Sequence, residues 1–165
     1  MAKQLQFAVS FLPVQDRLRI AGLFPDGNEV RLLLTRRLVR GLLGSVGEVA
    51  KKMVPEEVPG PQAKKEVAKF KREAAVQQAN FTTKFSGGQP HPDLGEEAQL
   101  VREIQISPEE DGKVRIRINL VKKKYIETAL PADTFWGLIH LIETQAKKAE
   151  WNLGPRTLAP RQTAK

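Results

Sequence analysis

The chain contains an internal repeat, which restricts the folds it can adopt. Residues 16–52 align without a gap onto residues 112–148 at a constant offset of 96, and eight of the 37 aligned pairs are identical. Apolar positions, turns and helix ends fall in register together. Two copies of one unit can pair around a pseudo-twofold axis, as subunits do in a symmetric dimer. The repeat therefore predicts a fold built from two similar units.

The first copy has the pattern of three strands followed by a helix. Gln4–Leu12 and Arg17–Leu23 read as strands, and a Pro-Asp-Gly turn precedes a third strand at Val30–Leu34. Thr35 is a predicted helix N-cap, and the apolar residues that follow recur every three or four positions. The prolines of 54–61 end this helix because they cannot donate backbone hydrogen bonds.

The second copy repeats this order. Leu100–Ile106, Lys113–Leu120 and Tyr125–Ala129 read as strands, and Pro131 suits the first turn of the next helix. The predicted fold class is α+β, with two tandem β-β-β-α units whose antiparallel sheets form a pseudo-dimer. Gly41 aligns with Gly137, which predicts that the two helices cross near these glycines or pack tightly on a sheet there. Tolerance of glycine in a loosely specified helix is the alternative explanation.

The same patterns predict how the chain is divided. Residues 1–53 form the first repeat, and residues 99–150 form the second. Residues 54–98 are a linker containing a short basic helix, with a thin apolar face of Val67, Phe70 and Ala74 and an extra strand at Asn80–Phe85. Residues 151–165 have two prolines and only positive charges, and we expect this tail to be disordered.

Composition favours an anionic partner. The net charge is +8, and cysteine is absent, which excludes disulfides and fits a reducing compartment. No apolar run is long enough to span a membrane, and the N-terminal segment is a poor secretory signal, so we expect a cytoplasmic or nucleoid-associated protein.

No catalytic pattern stands out. His91 and His140 lack carboxylates at metal-binding spacing, and no glycine loop suited to phosphate is present. The sequence therefore predicts neither an enzyme nor a bound cofactor or metal.

A row of basic residues alternates with apolar residues on two predicted strands. Cations on a sheet can follow phosphates while nearby aromatic rings stack on bases, which is typical of single-stranded nucleic-acid binding. The predicted nucleic-acid-binding residues are Arg17, Arg19, Lys113, Arg115, Arg117, Lys122, Lys123, Lys124 and Tyr125. Phe7 and Phe11, with Phe81 and Phe85 behind them, are further stacking candidates. Two alternatives stay open: that the cations serve only solubility and edge protection, and that Phe7 and Phe11 belong to the core.

The second copy also resembles a known group of modules. Its basic amphipathic strand, its hairpin and the Leu-Pro-x-x-x-x-Trp entry into its helix, all within Gly112–Gln145, resemble the p15-type transcriptional coactivator and the related Whirly and Pur-type modules. The resemblance implies an antiparallel sheet followed by a helix, pairing of two copies and binding of single-stranded nucleic acid. The first copy departs from the pattern, with Thr35 in place of Pro131 and Arg40 in place of Trp136.

These observations together predict a protein that binds single-stranded DNA or RNA without strong sequence preference, in a transcription-related or nucleoid-related role. Self-association into a homo-oligomer is a further expectation. The alternative is a non-enzymatic protein-interaction or assembly module that recognises an acidic partner.

Overall fold

A computed structural model describes residues 5–78, 85 and 87–153 of the chain. Within these residues the chain forms seven strands and three helices. In chain order these are β1 (Gln6–Leu12), β2 (Arg17–Leu23), β3 (Asn28–Leu34), α1 (Arg36–Lys52), α2 (Pro61–Gln78), β4 (Gln89–Pro90), β5 (Gln99–Pro108), β6 (Val114–Leu120), β7 (Tyr125–Leu130) and α3 (Ala132–Lys148). The α+β class predicted from the sequence is confirmed.

The order β-β-β-α occurs twice, with α2 and β4 between the two occurrences. Helices α1 and α3 begin and end 96 residues apart, which is the offset of the sequence repeat. The predicted cap of α1 is present, because the Thr35 hydroxyl accepts a hydrogen bond from the Leu38 amide at 3.2 Å. We call β1–β3 with α1 the first unit and β5–β7 with α3 the second unit.

The strands form one mixed sheet in the order β1-β2-β3-β5-β6-β7. Each unit is an antiparallel meander, and the two meanders meet where β3 runs parallel to β5, with Leu32 opposite Gln99 and Leu33 opposite Leu100. The short strand β4 also pairs with β3 in parallel. This order repeats one unit after the other, whereas a twofold axis through an open sheet would give a palindromic order. The pseudo-dimer arrangement is therefore not confirmed.

One face of the sheet carries the hydrophobic core, and we call it the inner face. Leu18, Ile20, Val114 and Ile116 alternate with arginines along β2 and β6, and all four belong to a single buried cluster with residues of both helices. Helix α3 packs on β1, and helix α1 packs on β5, so each helix packs on the first strand of the other unit. The two units therefore share one core.

Helix α2 packs on α3 and α1 through a different face from the one the sequence predicted. Ala68 is its buried residue, and Val67 and Ala74 of the predicted apolar face are half-buried, but Phe70 is 73% exposed, so the prediction is wrong at Phe70. Arg72 fixes the helix instead, with its guanidinium 5.0 Å from the Trp136 ring centroid and 2.7 Å from the Glu143 carboxylate. Small alanines allow this close approach, which a search for large apolar residues does not reveal.

The prediction that the helices cross or pack tightly on a sheet near Gly41 and Gly137 is wrong at Gly41. This residue is exposed, and a Cβ built on it has no atom within 4 Å. Gly137 is buried, as expected for a residue on the packed side of α3. The crossing point predicted from the aligned pair is therefore absent at its first member.

Trp151 is buried, although the sequence placed it at the start of a disordered tail. Its indole N–H donates to the Asp16 carboxylate at 2.8 Å, and its ring meets Phe11 edge-on. The rest of the predicted tail, 154–165, and most of the extra strand predicted at residues 80–85 lie outside the described residues. Of the helices in the described part, none is long and apolar enough to cross a membrane.

Candidate nucleic-acid interface

The predicted basic row lies on the sheet face opposite the core, which we call the outer face. Arg17 and Arg19 alternate with buried Leu18 and Ile20 along β2, because successive side chains of a strand point to opposite faces. Arg115 and Arg117 alternate in the same way along β6. Antiparallel partners share a face, so Ser10 opposite Arg19 and Ala129 opposite Arg115 also belong to the outer face.

On the first unit, Arg31 of the outer face is paired with Glu29, whereas Arg17 and Arg19 have no salt-bridge partner among the described residues. Arg17 and Arg19 are half-buried, and neither forms a side-chain hydrogen bond or salt bridge with a described residue. Arg19 interacts with the Glu29 carboxylate through space, without a hydrogen bond between them. These two guanidinium groups therefore remain available for an anion at the surface.

Glu29 itself is a structural residue. It is buried, and its carboxylate accepts hydrogen bonds from Arg31 at 2.8 Å and from the Gly88 amide at 3.0 Å. The hydrogen bond from Arg31 is the main reason that the pKa of Glu29 lies below its ordinary value, while burial opposes the shift. Arg31 also donates to the Glu96 carbonyl at 2.6 Å. Glu29 and Arg31 thus hold the segment before β5 against β3.

Gly88 allows this close approach. A Cβ at Gly88 would lie 2.4 Å from the Gly27 carbonyl oxygen, which is a steric clash with the backbone. The segment that carries β4 can therefore meet the β2–β3 turn only with glycine at this position.

On the second unit, carboxylates share the outer face with the cations. Arg115 forms a salt bridge with Glu109 at 2.8 Å, and this contact raises the pKa of the Arg115 guanidinium. Arg117 lies opposite Glu127 on β7. Glu103 accepts a hydrogen bond from Asn119 at 3.1 Å. The three cations Lys113, Arg115 and Arg117 thus face an equal number of carboxylates, so this part of the outer face is close to neutral.

Arg117 and Tyr125 form a stacked pair. The Arg117 guanidinium lies 3.8 Å from the centroid of the Tyr125 ring, and its Nε donates to the Asn119 side chain at 3.2 Å. Tyr125 is nevertheless 56% exposed. The pair presents a flat aromatic and cationic surface, a combination on which a nucleic-acid base can stack.

The β6–β7 turn projects three exposed lysines beside this pair. Lys122 and Lys123 are exposed, and Lys124 donates to the Asp93 carbonyl at 2.5 Å. Lys123 has φ of 63°, as expected for the residue that closes a three-residue hairpin loop. The turn thus holds two cations at its tip and ties its third to the segment before β5.

The two halves of the basic surface are joined across the β3–β5 junction. Arg19 lies opposite Leu33, Leu33 lies opposite Leu100, and the Leu100 carbonyl accepts from the Val121 amide at 3.0 Å. Three neighbouring strand spacings separate Arg19 from the turn, or about 14 Å. An outer-face path of half-buried and exposed aliphatic side chains therefore runs from the arginines to the lysines.

Two of the aromatic stacking candidates, Phe7 and Phe11, lie on the inner face of the sheet instead of the outer face. Phe7 and Phe11 pair with Gly22 and Leu18, so they lie on the inner face, where they pack against the core. The prediction that they stack on bases beside the arginines is therefore wrong, and the alternative core assignment is confirmed. Phe85 is half-buried, and Phe81 lies outside the described residues.

Sequence reasoning missed the carboxylates that neutralise the second unit. A signal was present for Glu127, because alternation from Tyr125 places it on the outer face. The salt bridge of Glu109 with Arg115 spans a turn, so no strand period predicts it. The burial of Glu29 depends on the approach of Gly88, 59 residues further along the chain.

Within the described part of the chain, the arrangement offers cations and one aromatic platform but no recognised catalytic centre. Among residues 5–78, 85 and 87–153, no three His, Cys, Asp or Glu side chains are placed to hold a metal ion. No known protein-family model, curated protein or solved structure matches the chain.

Proposed function

We propose that this protein binds single-stranded DNA or RNA, without strong sequence preference, along the outer face from Arg17 and Arg19 to the turn at Lys122–Tyr125. The observation that carries the proposal is the combination of uncompensated arginines, exposed lysines and an exposed stacked tyrosine on one sheet face. Phosphates interact with the cations irrespective of base identity, so affinity from such contacts carries little sequence preference.

The stacked pair is the part of this surface that favours unpaired bases. Bases in a duplex have their faces occupied by their neighbours, whereas a single strand can offer a base to the exposed ring of Tyr125. Stacking of a base on an aromatic side chain contributes about 1–3 kcal/mol. Arg117 already covers part of the ring at 3.8 Å and keeps it oriented.

Within the predicted set of residues, the contributions are unequal. Arg17, Arg19, Lys122 and Lys123 would contribute most of the phosphate binding, because none of them forms a salt bridge or side-chain hydrogen bond with a described residue. Arg115 would contribute less, since Glu109 already occupies its guanidinium. Lys113 is exposed beside that salt bridge and would make a weaker contact near the edge of the surface.

The proposal extends to the pseudo-dimer arrangement, in which a curved sheet would let a pseudo-twofold axis relate the first unit to the second. Three features support this arrangement. The helices pack reciprocally on β1 and β5. The C-terminal end of α1 and the β5–β6 turn line one cleft. In the equivalent place of the other unit, Trp151, which follows α3, reaches Asp16 in the β1–β2 turn. Strand β7 faces the β2–β3 turn across a cleft of about 390 Å³. The likeness to coactivator and Whirly-type modules would then extend to the pairing of units.

The proposal is tested by fluorescence anisotropy with labelled oligo-dT, the matching RNA and a duplex of equal length. We expect binding of both single strands at roughly 50 mM salt, weaker binding of the duplex, and a log–log salt slope of about −0.7 per neutralised phosphate. Absence of single-strand binding at that salt concentration would overturn the proposal.

Tyr125→Ala and Tyr125→Phe separate stacking from charge. We expect the alanine variant to bind oligo-dT about tenfold more weakly with an unchanged salt slope, and the phenylalanine variant to bind as the parent does. The alternative function, a module for an acidic protein partner, predicts no nucleic acid in material purified at low salt, which the ultraviolet absorbance ratio reports.

A further inference from the structure

A second surface lies between α1 and β5. A groove of about 590 Å³ is lined by residues of both elements beside their packing contact. Its described lining residues are Thr35, Arg37, Leu38, Gly41, Leu42, Ser45, Val101, Arg102, Glu103 and Ile104. None of the residues assigned above to nucleic-acid binding is among them.

Two small residues, Gly41 and Ser45, lie in the α1 wall of the groove. A Cβ at Gly41 would have no atom within 4 Å, and Ser45 follows one turn later on the same helix. A leucine at either position would narrow the groove. An exposed glycine inside a helix costs about 1 kcal/mol relative to alanine. At this position the glycine also leaves space in the groove that a side chain would fill.

Arg37 and Arg102 stand on opposite walls, and neither has a counter-charge within the described chain. Both are exposed, and neither forms a side-chain hydrogen bond or salt bridge with a described residue. The carboxylate of Glu103 interacts instead with the Asn119 and Gln105 side chains, which lie on the outer face. The groove therefore has a net positive charge that its own acidic residue does not cancel.

The floor of the groove is aliphatic. Leu38, Leu42, Val101 and Ile104 line it, and no aromatic ring is among its described lining residues. Aliphatic side chains fit such a floor, whereas bases would find no ring on which to stack. The chemistry therefore favours a polypeptide over a nucleic acid at this surface.

The β5 side of the groove also offers a strand edge. The Leu120 amide donates to the Lys124 carbonyl, so the backbone of Leu120 points toward β7 and that of Asn119 points toward β5. Glu103 lies opposite Asn119, so the backbone N–H and C=O of Glu103 hydrogen-bond to β6. The backbone N–H and C=O of the next residue, Ile104, therefore point away from β6. No described strand pairs with β5 at Ile104, so an extended segment can hydrogen-bond there.

We propose that the groove between α1 and β5 binds an extended acidic segment of a partner protein. Aliphatic side chains of the segment pack on Leu38 and Ile104, and its carboxylates pair with Arg37 and Arg102. Charge complementarity selects this occupant, because two uncompensated guanidinium groups flank an aliphatic floor.

The test uses a fluorescein-labelled peptide of about 12 residues in which glutamate and valine alternate, with a lysine–valine peptide as the charge control. We expect the full chain to bind the acidic peptide and not the basic one. Arg37→Glu with Arg102→Glu should weaken binding at least about tenfold, because two charge-assisted contacts are lost.

Gly41→Leu and Gly47→Leu form a matched pair. Both glycines are exposed in α1 with no atom within 4 Å of an added Cβ, so both variants should fold, but only Gly41 lines the groove. We expect the first variant to lose at least about tenfold in peptide affinity and the second to bind as the parent does. Circular dichroism checks that both retain the fold.

Three results would overturn the proposal: no binding of the acidic peptide by the parent chain, equal peptide binding by the two leucine variants, or loss of oligo-dT binding in Gly41→Leu alone. The last result would assign the groove to nucleic acid.

Discussion

Equivalent positions of the two units bury similar side chains, while their surfaces differ. Leu18 and Val114 are both fully buried, and so are Val39 of α1 and Phe135 of α3. On the outer face, by contrast, Arg19 has no salt-bridge partner in the described chain, whereas its equivalent Arg115 is paired with Glu109. A shared core and divergent surfaces indicate that the repeat specifies packing, and that each unit presents its own surface.

The helices show the same contrast. Helix α3 carries Trp136, is followed by Trp151, and is covered by α2 through Arg72. Helix α1 has Arg40 in place of Trp136 and exposes Gly41 and Gly47. The second unit therefore contributes the larger aromatic part of the core, and the first unit leaves a helix face open to solvent.

The largest expected effect concerns Trp151, whose ring joins the end of the second unit to the first. Trp151→Ala should destabilise the protein by about 3–5 kcal/mol, because it removes a buried ring and its contact with Phe11. Denaturant unfolding measures the effect. Trp151→Phe should cost less and report the loss of the hydrogen bond to Asp16.

Tyr125→Ala serves as the control for this prediction, since it removes an exposed aromatic and should cost at most about 1 kcal/mol. Equal costs for Trp151→Ala and Tyr125→Ala would mean that the two units are not joined through Trp151.

A smaller effect is expected for the buried carboxylate of the first unit. Glu29→Gln should cost about 1.5 kcal/mol at pH 7, because the charge-assisted hydrogen bond from Arg31 is weakened. The pKa of Glu29 is lower in the folded chain than in the unfolded chain, so its stabilising effect is present at neutral pH and is lost as pH falls through the folded pKa.

The difference between the parent and Glu29→Gln should therefore shrink below about pH 4. Thermal unfolding across pH 3–7 checks this, with the exposed Glu110→Gln as a control that should match the parent throughout. A difference that stays constant with pH would contradict the assignment.

The smallest effect concerns the exposed glycines of α1. Gly41→Ala and Gly47→Ala should each raise stability by up to about 1 kcal/mol, since the added methyl group meets no atom and alanine favours the helix. Differential scanning calorimetry measures the change. A lower melting temperature for Gly41→Ala would instead restore the predicted helix crossing at this residue.

Much of the fold could be predicted because its signals are local. Alternation along β2 and β6, the Pro-Asp-Gly turn and the Thr35 cap each depend on neighbouring residues, and each strand and helix of the two units was predicted with bounds close to those observed. The same alternation placed Arg17, Arg19, Arg115 and Arg117 on the face opposite the core.

The features that could not be predicted depend on contacts between residues far apart in the chain. The burial of Trp151 requires Asp16 and Phe11, which lie about 140 residues earlier. The face by which α2 packs is decided by Arg72, Trp136 and Glu143 together. The parallel junction of β3 with β5 likewise follows from how the linker returns, and the alignment of the repeats carries no information about it.

A salt titration of oligo-dT binding compares the phosphate contacts made by the two units. The parent chain, Arg17→Gln with Arg19→Gln, and Arg115→Gln are measured side by side. Arg17 and Arg19 are uncompensated, so the double variant should reduce the magnitude of the log–log salt slope by about 1.4, twice the value for one phosphate on a single strand. Arg115→Gln should change it by less than about 0.7, because Glu109 already neutralises that charge. A slope unchanged by the double variant, or reduced more by Arg115→Gln, would contradict the account.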